Sequence, residues 1–175
     1  MGHGFTSTRE GVSAHLDPAE AGVLRSLVAS MVLDVVEPGE TGDDPLERAL
    51  RIGPATEPTD PVLARLFPSA YADDDAASAE FRRYTEGDLR DAKRADALTL
   101  IETAAAGRVT LTTEEAQAWL RALNDLRLVL GVRLEVTEEI REEMAEMGDD
   151  DPRYPAFVTY EWLTYLQDTL VQALW

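Results

Sequence analysis

Cysteine is absent from this chain. Its absence excludes disulfides, thiolate catalysis, Cys-ligated zinc and thiol-based redox sensing by the chain itself. Histidine is nearly as scarce. His3 and His15 are the only two, and neither has a neighbour at metal-ligand spacing, so no metal or other cofactor is expected. Cationic residues are also few: 16 Lys and Arg stand against 34 Asp and Glu, for a formal charge of −18. Such a balance repels phosphate backbones and disfavours direct DNA binding. No apolar run reaches the roughly 18 residues that a membrane span requires. The start of the chain has no basic segment leading into an apolar one, so a cytoplasmic protein without a membrane association is expected. A nucleophile elbow, a P-loop and a dinucleotide fingerprint are missing too, and the chain is expected not to be an enzyme. An uncharacterised hydrolase is the remote alternative, because carboxylates abound although nothing in the sequence singles out a working pair.

What is present describes a folded, mainly α-helical protein. With 175 residues, 45% of them apolar, the chain can bury a core, and we expect one domain over 1–175. Residues 5–16 alternate loosely about Glu10-Gly11 and predict a small β-hairpin. Asp17-Pro-Ala-Glu20 then places Asp at a helix N-cap, Pro at the first helical position and Glu at the third, which predicts a helix over 18–36. Its expected inward residues are Val23, Leu24, Leu27, Met31 and Val35. Residues 37–60 read as a long Pro/Gly/acidic loop, in which Leu46 to Ile52 can form one or two helical turns. The remainder, 61–175, reads as a helical core together with helix 18–36. Asp60-Pro61 starts a short helix, a helix after Asp73-Asp-Asp75 is expected to kink at Thr85, and a third short strand near 108–111 can join the hairpin. Further helices follow Thr137 and Pro155. The fold expected is therefore a helical bundle around a central buried helix, about 113–135, opened by the capping box Thr112-Thr-Glu-Glu115.

That central helix carries the sharpest residues. Ala116, Trp119, Leu120, Leu123, Leu126, Leu130 and Leu134 share one face of its wheel, and Arg127 falls in the middle of them. An unpaired charge there would be costly, so the position demands a carboxylate or several oxygen acceptors. Glu80 is the expected partner, on a face shared with Phe81 and Tyr84. Arg133 is the second arginine of the stretch, and Asp125 its only acid. Asn124 lies beside Gly131 in a low strip where another helix can approach. Gln167, on an otherwise apolar face of the last helix, is expected to hydrogen-bond a neighbour. Arg82, Arg83, Arg90, Lys93 and Arg94 alternate with acids and read as a solvated face of ion pairs. Asp73-Asp-Asp75 and Asp149-Asp-Asp151 lack the alternating ligand spacing of a calcium loop. The acidic surface as a whole suits a basic protein partner.

A longer set of segments carries a resemblance. It comprises Asp60-Pro-Val-Leu-Ala-Arg-Leu-Phe-Pro68, Tyr71-Ala-Asp-Asp74, Glu80-Phe-Arg-Arg83 with Thr85, Leu89-Arg-Asp-Ala-Lys93, Leu111-Thr-Thr-Glu-Glu-Ala116, Trp119-Leu-Arg-Ala-Leu-Asn-Asp-Leu-Arg127, Leu130-Gly-Val-Arg-Leu134 and Tyr160-Glu-Trp-Leu-Thr-Tyr-Leu-Gln167. In combination these resemble the AosR-like family of actinobacterial oxidative-stress transcriptional regulators, long labelled a domain of unknown function. The resemblance implies a cytoplasmic regulator acting through a sigma factor or RNA polymerase, with genes of sulfur or cysteine metabolism among its targets. A role as an adaptor or partner in Clp-linked protein turnover is the alternative, since members are commonly encoded beside a Clp adaptor. The missing cysteines are a departure for any thiol-based sensor. Sensing is then absent, resides in the partner, or uses methionine, for which Met31, Met144 and Met147 are the candidates; core packing or inconsequential exposure is the plainer reading of all three.

Overall fold

Turn chemistry at Arg9-Glu10 folds β1 (His3–Thr8) back on β2 (Gly11–Leu16) in antiparallel register, Thr6 facing Ser13 and Thr8 facing Gly11. β3 (Gly107–Thr112) adds antiparallel to β2 and completes the sheet in the order β1-β2-β3, so the expected third strand forms. Val12 and Ala14 oppose Leu111 and Val109 across it, and all four side chains are buried. Gly11 is required at this junction. Its φ is +150°, and a Cβ there would sit 2.0 Å from the Leu111 carbonyl oxygen. The computed structural model describes residues 3–175, so the first two positions of the expected 1–175 span lie outside the described residues.

α1 (Pro18–Val28) begins as its sequence predicts. The Asp17 carboxylate accepts the Glu20 amide and the Glu20 carboxylate accepts the Asp17 amide, both at 2.8 Å. The helix then widens into one π turn, Ala29–Leu33, with the Asp34 amide donating to the Ala29 carbonyl. The inward column is Ala21, Leu24, Val28, Val32 and Val36, and Val23 is 42% exposed. Of the expected inward residues Leu24 is buried and Leu27 and Met31 pack part-buried against the core, whereas Val23 faces out and Val28, Val32 and Val36 take the deepest positions. Two apolar rows run side by side along the segment, and neighbouring elements rather than periodicity decide which is buried.

α2 (Pro45–Ala49) is the short turn expected inside the 37–60 loop, and α3 (Pro61–Leu66) follows, each capped by an aspartate ahead of a proline. The loop lies along α4 (Asp75–Thr103). The Gly53 amide donates to the Arg83 carbonyl at 2.8 Å, and a Cβ on Gly39 would be 2.6 Å from the Gly87 carbonyl oxygen. α4 is continuous through 29 residues. The expected kink does not form, because the Thr85 hydroxyl bonds back to the Phe81 carbonyl at 2.8 Å instead of capping a new helix.

α5 (Thr113–Arg133) is the central helix, opened by the Thr112–Glu115 box and packed by α1, α3, α4, the sheet and α7 (Tyr154–Leu174). Trp119 is fully buried, meets Phe5 edge to face at 5.5 Å between ring centroids, and donates to Thr103 Oγ1 at 2.7 Å. α6 (Glu138–Glu146) is peripheral and has no buried residue. α7 runs along the free edge of β1, where Tyr165 and Thr169 oxygens accept the Gly4 and Phe5 amides at 3.2 and 3.1 Å. That contact blunts an edge that would otherwise be open to strand pairing.

Candidate functional site

α4 carries charge on the side that a helix ordinarily gives to aliphatic residues. Arg82, Glu86, Arg90, Lys93 and Asp96 recur at three- and four-residue spacing and so form one row. Arg82 is 6% exposed; it bonds Glu86, and its two terminal nitrogens donate to the Phe67 carbonyl at 3.2 and 3.3 Å. Glu86 also accepts from Arg90 at 3.0 Å, and the Arg90 guanidinium lies 4.6 Å from the Phe67 ring centroid. Arg94 donates to the Leu33 and Val36 carbonyls at 2.8 and 2.6 Å. It thereby occupies the unsatisfied carbonyl end of the first helix. The expected ion pairs therefore exist, but at Arg82 and Glu86 they are buried and not solvated.

Further along the row, α4 meets α5. Lys93 Nζ lies 2.7 Å from Asp125 Oδ1, and Arg121 grips Asp96 with two bonds of 2.7 and 2.8 Å. Between α4, α5 and α7 opens a groove of about 380 Å³, lined by these four residues with Asn124 and Gln167. Leu89, Leu120 and Val171 also line it. Asp125 is 2% exposed and its Oδ2 is buried without a hydrogen-bond partner. Burial pushes its carboxyl above the ordinary aspartate range, and the Lys93 hydrogen bond and charge only partly offset this.

Three of the expected residues, Asn124, Asp125 and Gln167, are thus brought together. Arg127 lies beside them: it donates to Thr164 Oγ1 at 3.0 Å and to Gln167 Oε1, and its guanidinium is 5.5 Å from the Tyr160 ring centroid. Gln167 does hydrogen-bond a neighbouring helix, as expected. Glu80 is not the partner of Arg127, because it is exposed on α4 together with Phe81 (49% exposed) and Tyr84. The inward positions there are Ser78, Arg82 and Glu86, one step around the helix. Arg133 is exposed in the last turn of α5, with no ion pair or hydrogen bond among the described residues. The charges of this inward row of α4 are legible in the sequence, but their face reads there as solvated; the four-residue spacing Arg82-Glu86-Arg90 marks the row and not its inward direction.

Chemically, the groove offers two neutralised ion pairs and two amides. It is equipped for hydrogen bonding, with no nucleophile set against a base. Among the described residues, no three His, Asp or Glu side chains converge as a metal site would need, and no helix is long and apolar enough to cross a membrane.

The family described as a domain of unknown function, DUF2017, matches residues 2–174. Proteins named oxidative stress regulator AosR in Mycobacterium bovis and Mycobacterium tuberculosis are each 35% identical over 187 residues, covering 95% of this chain and 84% of theirs. A Mycobacterium leprae relative is 36% identical over 176 residues, covering 90% of this chain and 79% of its own. No solved structure matches.

Proposed function

The chain belongs to the DUF2017 family, and on that footing we propose that it is a regulator in the response to oxidative stress, working through protein contacts and not through catalysis. The observation that carries this reading is the 35% identity, over 95% of the chain, to proteins named oxidative stress regulators. A sigma factor or RNA polymerase is the partner implied by the resemblance, and the place of action is the cytoplasm. Charge supports the indirect route to transcription: a protein at −18 approaches a basic protein surface more readily than a nucleic-acid backbone. The groove between α4, α5 and α7 supports recognition over chemistry, since its charged groups already neutralise one another.

The test is affinity capture of the tagged full chain from its host, before and after oxidant treatment, with cross-linked partners identified by mass spectrometry. Recovery of sigma factor or polymerase subunits is expected. Recovery of Clp components alone would replace regulation of transcription with a role in protein turnover.

A further inference from the structure

α6 and α7 leave an apolar groove between them that the chain does not fill. It has a volume of about 450 Å³ and is lined by Met144, Met147, Tyr154, Phe157 and Val158, with Arg141 and Glu161 at its polar margin. That volume falls in the range of roughly 300–1,000 Å³ typical of ligand pockets. Val158 is 47% exposed, so the groove is open to solvent. Of the ion pairs in this region, Arg153 to Glu143 at 2.8 Å joins α6 to the residue preceding α7. Unbranched thioether side chains adapt their shape to what they meet, and methionine-lined grooves suit apolar side chains of variable form.

Arg141 and Glu161 balance at the groove itself, but the charge of its α6 wall and of the loop after it is one-sided. Eight of the fourteen residues 138–151 are Asp or Glu, against the single Arg141. Arg153 engages Glu143 and Asp151, whereas Glu138, Glu139, Glu142, Glu146 and Asp149 have no cationic partner among the described residues. An apolar floor beside the uncompensated acidic belt of α6 and the loop after it is complementary to a helix with one apolar face and basic flanks. The belt repels a second copy of this acidic chain, and it repels an acidic peptide equally.

We infer that the α6–α7 groove is a docking site for a basic amphipathic helical segment of a protein partner, with large apolar side chains seated against Met144, Met147 and Phe157. This rests on the reading that the chain acts through protein contacts, and it assigns the surface that makes one of them.

The methionines themselves report the test. In the full chain carrying ¹³C-labelled methionine methyl groups, the probe is a synthetic peptide of about 15 residues with leucine at i, i+3, i+4 and i+7 and lysine elsewhere. The Met144 and Met147 signals are expected to shift on titration while Met31, packed against the core, stays in place. Val158→Glu and the double variant Glu142→Lys/Glu146→Lys alter exposed positions, so both are expected to fold, and each is expected to weaken binding by about tenfold. Unmoved Met144 and Met147 signals would overturn the proposal. So would equal shifts from a scrambled or glutamate-for-lysine peptide, or unchanged affinity in the two variants. If the peptide fails while capture from the host still recovers polymerase or sigma factor, the groove is wrong and the regulatory reading stands. The opposite pair of results separates them the other way.

Discussion

Two arginines show how differently one side chain type is held. Arg82 is buried against a carboxylate, and removing that carboxylate by Glu86→Ala leaves Arg82 and Arg90 without their shared counter-charge. A loss of about 3 kcal/mol is expected in urea unfolding, as for other broken buried pairs. Among the described residues Arg127 has neutral partners only, Thr164, Gln167 and the Tyr160 ring, and it is half-buried. Arg127→Ala is therefore expected to cost about 1.5–2 kcal/mol, the low end of the range for hydrogen bonds to a charged group because the side chain is only half-buried. A loss from Arg127→Ala equal to that from Glu86→Ala would show an ion pair where none is seen. Asp125 adds a pH dependence of defined sign. Its folded pKa is raised by burial, so its contribution is complete below the unfolded pKa and is lost as pH rises through the folded one. The melting temperature of Asp125→Asn, relative to the native chain, is expected to move in the variant's favour as pH is raised from acid to neutral. A constant difference would mean that Asp125 titrates normally.

Elements were legible where a local rule decides them and obscure where a neighbour does. The capping boxes at Asp17 and Thr112 announce α1 and α5 through hydrogen bonds that close within four residues, and both helices start where the boxes place them. The hairpin and β3 were legible from their short extended runs, although the turn lies at Arg9-Glu10, one residue before the expected Glu10-Gly11, and β3 finds its partner β2 far off in the sequence. By contrast, α1 has two apolar rows, and only packing selects Val28 and Val32 over Val23. On α4, Thr85 has the composition of an N-cap but is spent on the Phe81 carbonyl, and nothing within one turn could reveal that. Arg127's need for acceptors was visible in its wheel position, but Thr164 and Gln167 sit 37 and 40 residues away and bear no charge to advertise the contact. The groove followed the same pattern, since Lys93, Asn124, Asp125 and Gln167 were noticed singly, Asp96 and Arg121 were not, and only the crossing of α4, α5 and α7 assembles them. At this scale Gly11 is decisive. Gly11→Ala brings a Cβ against the Leu111 carbonyl at a positive φ, and a loss of about 2–3 kcal/mol is expected from a shifted denaturant midpoint. An unchanged midpoint would mean that β2 and β3 can separate at no cost.

For the whole molecule, an excess of 18 negative charges opposes compaction. Screening lengths shorten from about 30 Å at 0.01 M salt to about 8 Å at 0.15 M, so the melting temperature is expected to rise over that interval. A fall would show that attractive pairs such as Lys93–Asp125 outweigh the repulsion. Because β1 is tied to α7 and both pack on α5, we propose one cooperative unit, with calorimetric and van't Hoff enthalpies that agree. Two separate transitions would instead reveal a sheet that melts independently of the bundle.

The bonds from Gly4 and Phe5 to Tyr165 and Thr169 span 161 and 164 residues of chain, and this separation has a consequence in time. A ribosome adding about 5–20 residues per second needs roughly 10–30 s to travel that distance. For the first part of that interval the newborn hairpin lacks β3 on one side, and for all of it lacks α7 on the other. Its outer amides then face the crowded cell without cover. Until α7 is made, nothing in the chain itself covers that edge, and for that interval it is open to strand pairing with other chains.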